Sequence, residues 1–105
     1  GEDEDGEARE FACVFYNSSV TRLKKIMQAY ATKDFKTLQN EFHSLKSASA
    51  YMGENNLSSY AKKLEELLKQ NPSFEELNLF NSFLKEFKEV INKIEIVVGD
   101  SEKAS

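Results

Sequence analysis

Apolar residues return every three or four places along most of the chain, and the strict alternation of a half-buried strand is not sustained. Phe11, Phe15, Val20, Leu23, Ile26, Met27 and Tyr30 form the first such stripe. That spacing belongs to an amphipathic helix and predicts one over about residues 9–31. Asn17-Ser18-Ser19 interrupts the stripe. It either breaks the helix or caps the start of a separate one. Asp34 is suited to cap a second helix that runs to about Gly53. Phe35, Leu38, Phe42, Leu45, Ala48, Ser49 and Met52 fall on one side of it. Asn55-Asn56 offers a turn and a cap before a third helix with the stripe Leu57, Ala61, Leu64 and Leu68. Asn71-Pro72 ends it, because the residue before a proline avoids helical dihedrals. Ser73 and Glu76 have the form of a capping box. They open a fourth helix on Leu77, Phe80, Leu84, Phe87, Val90, Ile91 and Ile94. The β-branched run from Ile94 to Val98 has a strand-like composition but keeps the helical period, so it reads as helix. No element needs a sheet. The expected fold is all-α, an antiparallel four-helix bundle with room for an extra N-terminal helical turn.

Composition narrows the picture without changing it. The chain has 105 residues, enough for one domain, and 40% of them are hydrophobic, enough for a small core. Its net charge of -4, with lysines spread along the length, argues against a nucleic-acid binder, which concentrates basic residues in one patch. No apolar run approaches a membrane span, and no direct membrane contact is expected. The acidic opening does not look like a signal peptide. The single cysteine, Cys13, cannot form an internal disulfide, which fits a reducing, cytoplasmic setting. It reads as a small apolar filler. One His and one Cys far apart in sequence make no zinc site. Residues 1–8, opening GEDEDGE, read as an acidic linker, and residues 99–105 as a second tail. The folded domain is expected over 9–98, cut from a longer protein, with Gly1 a residue left by cloning.

The stretch EFHSLKSASAYMGENNLSSYAKKLEELL holds the only histidine, His43. A helix advances about 100° per residue. With His43 at zero, Leu45, Met52, Leu38 and Ser49 cluster at roughly 180–240°, so the imidazole points to solvent. Beside it lie Lys46, Ser47, Ala50 and Gly53. An exposed histidine is usually only surface, and Gly53 alone could be a helix C-cap. The small residues speak for more: Ala and Ser on a solvent face suit it less than Lys or Glu, and a flat patch around a protruding ring suits docking. Neutral imidazole, with an ordinary pKa of about 6.5, is a good nucleophile near pH 7. It can hold a phosphoryl group covalently. Lys46, one helical turn on, can offset charge on the phosphoryl oxygens. No nucleophile–base–acid set and no phosphate-cradling glycine loop accompany it, so neither hydrolysis nor ATP binding is indicated. Any phosphoryl group must come from another protein and pass to another.

His43-Ser44-Leu45-Lys46-Ser47, with Gly53, Leu57, Ala61, Leu64 and Glu65, resembles the histidine phosphotransfer (HPt) domain family. The family pattern is roughly H-x-L-K-G-x-A-x-x-x-G followed by L-x-x-x-A-x-x-L-E, and Lys33-Asp34-Phe35 resembles its turn before the histidine helix. The resemblance covers about residues 15–95. Ser47 stands in place of the usual glycine and Ser49 where alanine is common; both are small, and Ser49 can back-bond to a helical carbonyl. The resemblance implies that His43 accepts a phosphoryl group on Nε2 from a receiver-domain aspartate and hands it on to a response regulator. Lys46 would steady the phosphoryl oxygens, and Gly53 would leave room for the receiver. Glu65 matches a position where chemotaxis-kinase relatives carry a glutamate bonded to the other ring nitrogen, which would orient the imidazole. Other members have glutamine there, and an i,i+4 pair with Lys69 is the plainer role for Glu65.

The family brings no cofactor of its own; magnesium is expected on the partner receiver domain. Phe42, Ser47, Ala50 and Gly53, with first-helix residues near Phe15 and Tyr16, are the expected partner contacts. The chain is expected to act as a monomeric phosphoryl carrier rather than an independent catalyst, as a module of a hybrid sensor kinase or a free-standing protein. The rival from another class is a helical interaction or dimerisation module without phosphoryl chemistry, in which His43 is dispensable. A kinase domain elsewhere in a parent chain could also phosphorylate His43 directly.

Overall fold

The computed structural model describes residues 2–71 and 77–104, with side chains over 10–71 and 77–98. Four α-helices run through them and no strand occurs among them: α1 (Glu2–Ala31), α2 (Phe35–Tyr51), α3 (Asn55–Gln70) and α4 (Leu77–Ala104). Each helix packs on its neighbour in sequence, and α4 closes against α1, giving an up-down-up-down bundle. At 1.5 Å per residue, α1 and α4 outrun the shorter α2 and α3. The molecule is accordingly elongated, 48 × 21 × 19 Å.

The stripes become the core. Phe15, Ile26, Leu38, Phe42, Leu45, Leu57, Leu64, Phe83 and Phe87 are all buried. Phe42 meets Phe83 edge to face at 5.2 Å between ring centroids, and Tyr30 stacks on Phe80 at 4.0 Å. Such contacts add about 0.5–1.5 kcal/mol per pair beyond area burial. Ser19 sits within the α1 stripe and faces the core, so Asn17-Ser18-Ser19 neither breaks α1 nor starts a new helix. Helical backbone begins at Glu2 rather than near residue 9. The expected extra turn is therefore the start of α1 itself.

Both described corners use one device. α1 ends with Lys33 at φ 58°, and Asp34 N–H donates to Ala29 O at 2.8 Å. α2 ends with Gly53 at φ 77°, with Glu54 N–H donating to Ser49 O at 2.8 Å and Gly53 N–H to Ala50 O at 3.1 Å. These are Schellman closures. Asp34 caps α2 as expected, accepting from the Thr37 hydroxyl at 2.7 Å and from Thr37 N–H at 3.2 Å, bonds that in that order hold its carboxyl below the usual range. At α3 the expectation is corrected. The N-cap is Glu54, not an asparagine, and its side chain makes no capping bond. Its carboxylate instead takes Lys93 Nζ at 2.6 Å, tying the corner to α4. Asn71 is extended before Pro72, as the proline requires. The expected capping box of Ser73 and Glu76 lies outside the described residues.

Candidate functional site

α2 and α3 share the most extensive helix–helix contact of the bundle, and its outer seam carries the chemistry. On α2 the core side holds Leu38, Phe42, Leu45 and Ser49, all buried, so His43 must face out, and its side chain is 66% exposed. Ser49 donates its hydroxyl to Leu45 O at 2.7 Å, the back-bond that makes a buried serine tolerable. On α3, Leu57, Ala61, Leu64 and Leu68 fill the core, and Glu65 lies at the edge of that stripe with its side chain only 3% exposed. A carboxylate so enclosed needs partners, and α2 supplies them.

Glu65 Oε2 lies 2.6 Å from His43 Nδ1, and Glu65 Oε1 accepts from Lys46 Nζ at 2.8 Å. Lys69, one turn along α3, places Nζ 3.8 Å from Oε2. The Lys46 hydrogen bond, then the His43 bond and the two lysine charges, hold the Glu65 carboxyl below its ordinary range, outweighing the upward push of burial. An ionised carboxylate can only accept. His43 Nδ1 therefore carries the ring proton and donates it, and the Nε2 lone pair is left on the exposed edge. Ser58 of α3 donates to Lys46 O at 2.9 Å, pinning the two helices together at the level of the lysine.

The sequence-predicted residues divide cleanly. His43, Lys46 and Glu65 form one hydrogen-bonded group across α2 and α3. Both roles weighed for Glu65, the imidazole bond and the i,i+4 pair with Lys69, occur at once. Ser47, Ala50 and Gly53 are exposed along the same side of α2. Gly53 has nothing within 4 Å of where a Cβ would stand, so within the chain its glycine answers to the positive φ of the corner. Phe42 is a correction: it is fully buried against Phe83 and offers a partner nothing. It lies about 100° from His43 on the wheel, already turned to the core. Phe15, in the core stripe of α1, is buried too, while Tyr16 is half-buried.

The apolar groups that do reach this surface were missed. Tyr51 is 74% exposed and stacks on the exposed Phe11 of α1 at 4.6 Å, with exposed Val14 one turn along α1. Tyr51 is eight places from His43, about 80° away on the wheel, which is the signal that could have found it. Between α1 and α2 runs an open groove lined by Val14, Ser18, Asn40 and Ser44 and spanned by an Arg22–Glu41 ion pair of 2.6 Å. No group of His, Cys, Asp and Glu able to hold a metal ion occurs among the described residues. No helix among them is long and apolar enough to cross a membrane.

The Hpt domain family matches the chain over residues 10–95. No curated protein and no solved structure matches it.

Proposed function

The chain belongs to the Hpt domain family, whose members are phosphotransfer carriers of two-component signalling rather than catalysts, and from that premise we propose that His43 is its phosphoacceptor. In this reading Nε2 takes a phosphoryl group from the aspartate of one receiver domain and yields it to the aspartate of another. The observation that carries the reading is the pairing of an exposed imidazole with a buried carboxylate: Glu65 holds Nδ1–H, so the nucleophilic lone pair is on the solvent side.

Transfer needs no proton movement. The Nε2–P bond forms as the acyl-phosphate O–P bond breaks, the aspartate leaves as a carboxylate, and the ring keeps Nδ1–H with a positive charge that Glu65 offsets. Lys46 turns its ammonium toward the phosphoryl oxygens. The receiver supplies the aspartate and its magnesium ion. It docks over His43, Ser47 and Ala50, with Gly53 and the Tyr51–Phe11 pair at the rim, in a contact of the modest size typical of transient signalling encounters.

The test is to mix the chain with a panel of phosphorylated receiver domains and follow the label, in parallel with His43→Gln. Acid-labile, base-stable label that disappears in the variant is the expected result. Label that survives the substitution overturns the assignment of His43. No label from any receiver favours the interaction-module alternative.

A further inference from the structure

Three nitrogen donors converge on the Glu65 carboxylate, and they are not equal. His43 Nδ1 and Lys46 Nζ are at hydrogen-bond distance, whereas Lys69 Nζ stands off at 3.8 Å with its side chain 57% exposed. The proposed chemistry gives Lys46 two positions to fill. With His43 empty it sits on Glu65 Oε1; with His43 phosphorylated it is wanted by the phosphoryl oxygens. When it leaves, an almost fully enclosed carboxylate loses a hydrogen bond and a neighbouring positive charge, and a buried charge with fewer partners disfavours the state that strips it.

We propose that Lys69 compensates: from its place on the Oε2 side it closes on the Glu65 carboxylate when Lys46 turns to the phosphoryl group, so that the carboxylate keeps a lysine partner in both states. The proposal rests on the phosphohistidine reading above. Lys69 is four residues from Glu65 on the same helix, so closure needs a change of side-chain rotamer and no backbone movement. Among the described residues, no other lysine or arginine besides Lys46 stands within ion-pair range of Glu65. Lys69 touches no reacting atom; it is a positioning residue that sets how freely Lys46 can leave.

The experiment measures the equilibrium ratio of phosphorylated chain to phosphorylated receiver for the native protein, Lys69→Met and Lys69→Arg, at concentrations where the complex is sparse. That ratio does not depend on docking, so a plain surface role for Lys69 would change the rate of approach and leave the ratio alone. Lys69→Met is expected to shift the ratio toward the receiver by roughly five- to tenfold, the size of one net hydrogen bond, and Lys69→Arg to restore it. The His43 ring nitrogen signals of unphosphorylated Lys69→Met should stay at their native positions, because Lys46 holds Glu65 in that state. An unchanged ratio in Lys69→Met, an equal loss in Lys69→Arg, or a displaced ring signal before phosphorylation overturns the handover. A native chain that takes no label overturns the phosphohistidine reading itself, which keeps the two failures apart.

Discussion

His43 Nδ1 and Glu65 Oε2 are 2.6 Å apart, yet one belongs to a side chain that is two-thirds exposed and the other to one that is 3% exposed. The bond therefore joins solvent to the bundle interior. It fixes the ring tautomer from a group that no partner protein can reach. The lysine that would meet a phosphoryl group is tied to the same carboxylate at 2.8 Å, so one buried charge governs both members of the site.

Glu65→Gln removes the charge and keeps the shape. The amide oxygen can still accept from Nδ1–H, but the bond is no longer charge-assisted and the positive phosphorylated ring loses its counter-ion. Bonds to charged groups contribute about 1.5–3 kcal/mol, so transfer to His43 should slow by roughly ten- to a hundredfold. Single-turnover label transfer from a saturating phosphorylated receiver measures this directly. A native rate in Glu65→Gln would mean that the carboxylate is structural only.

Acid should reveal the same group through stability. The folded Glu65 carboxyl lies below its ordinary value of 4.5, so the unfolded chain binds this proton first as pH falls. The contribution of Glu65 is then full above its ordinary range and lost as pH drops through the folded value. Denaturant titrations across that acid window should show a shallower fall for Glu65→Gln than for the native chain. Parallel curves would place the titrating stability elsewhere.

The four helices were legible because each stripe combines a 3.6-residue period with large apolar groups, and His43 was legible as exposed because its helix has one strongly apolar side. Glu65 was harder. At the edge of the α3 stripe its spacing fits a solvated pair with Lys69 as well as a buried bond to α2, and only the packing of the two helices brings His43 within reach so that the bond forms beside that pair. The α3 cap went the same way: Asn55-Asn56 has better capping chemistry than Glu54, but the corner is set by Gly53 and by Lys93 on a helix about 40 residues away in sequence. Phe42 is next to His43 in sequence, but a step of about 100° round the helix turns it into the core.

The two Schellman corners invite a paired test. Lys33 adopts φ 58° with a side chain, whereas Gly53 adopts φ 77° without one. A left-handed residue with a Cβ costs about 1–2 kcal/mol, partly offset by the greater freedom a glycine loses on folding. Lys33→Gly should stabilise the domain by roughly 1 kcal/mol and Gly53→Ala should destabilise it by a similar amount. No atom stands near a new Cβ at Gly53, so that cost is conformational. On melting curves each change is worth about 4–8 °C. Opposite signs at the two corners are the expected pattern; equal signs would show that the corners do not share one mechanism.

Phe42 and Tyr51 separate packing from docking. Phe42 is fully buried against Phe83, and Phe42→Ala should cost about 3–5 kcal/mol, a large part of the 5–15 kcal/mol that holds a domain of this kind together. Tyr51 is mostly exposed and touches Phe11 across α1 and α2, so Tyr51→Ser should cost no more than about 1.5 kcal/mol. In transfer assays the order reverses. Tyr51→Ser should raise the receiver concentration needed for half-maximal rate several-fold while the saturating rate stays near native, because it removes apolar rim and leaves the His43–Glu65–Lys46 group intact. Melting temperatures and saturation curves on the two variants decide the matter. A Phe42→Ala protein that melts like the native chain but docks poorly would return Phe42 to the surface and overturn this placement of the α2 face.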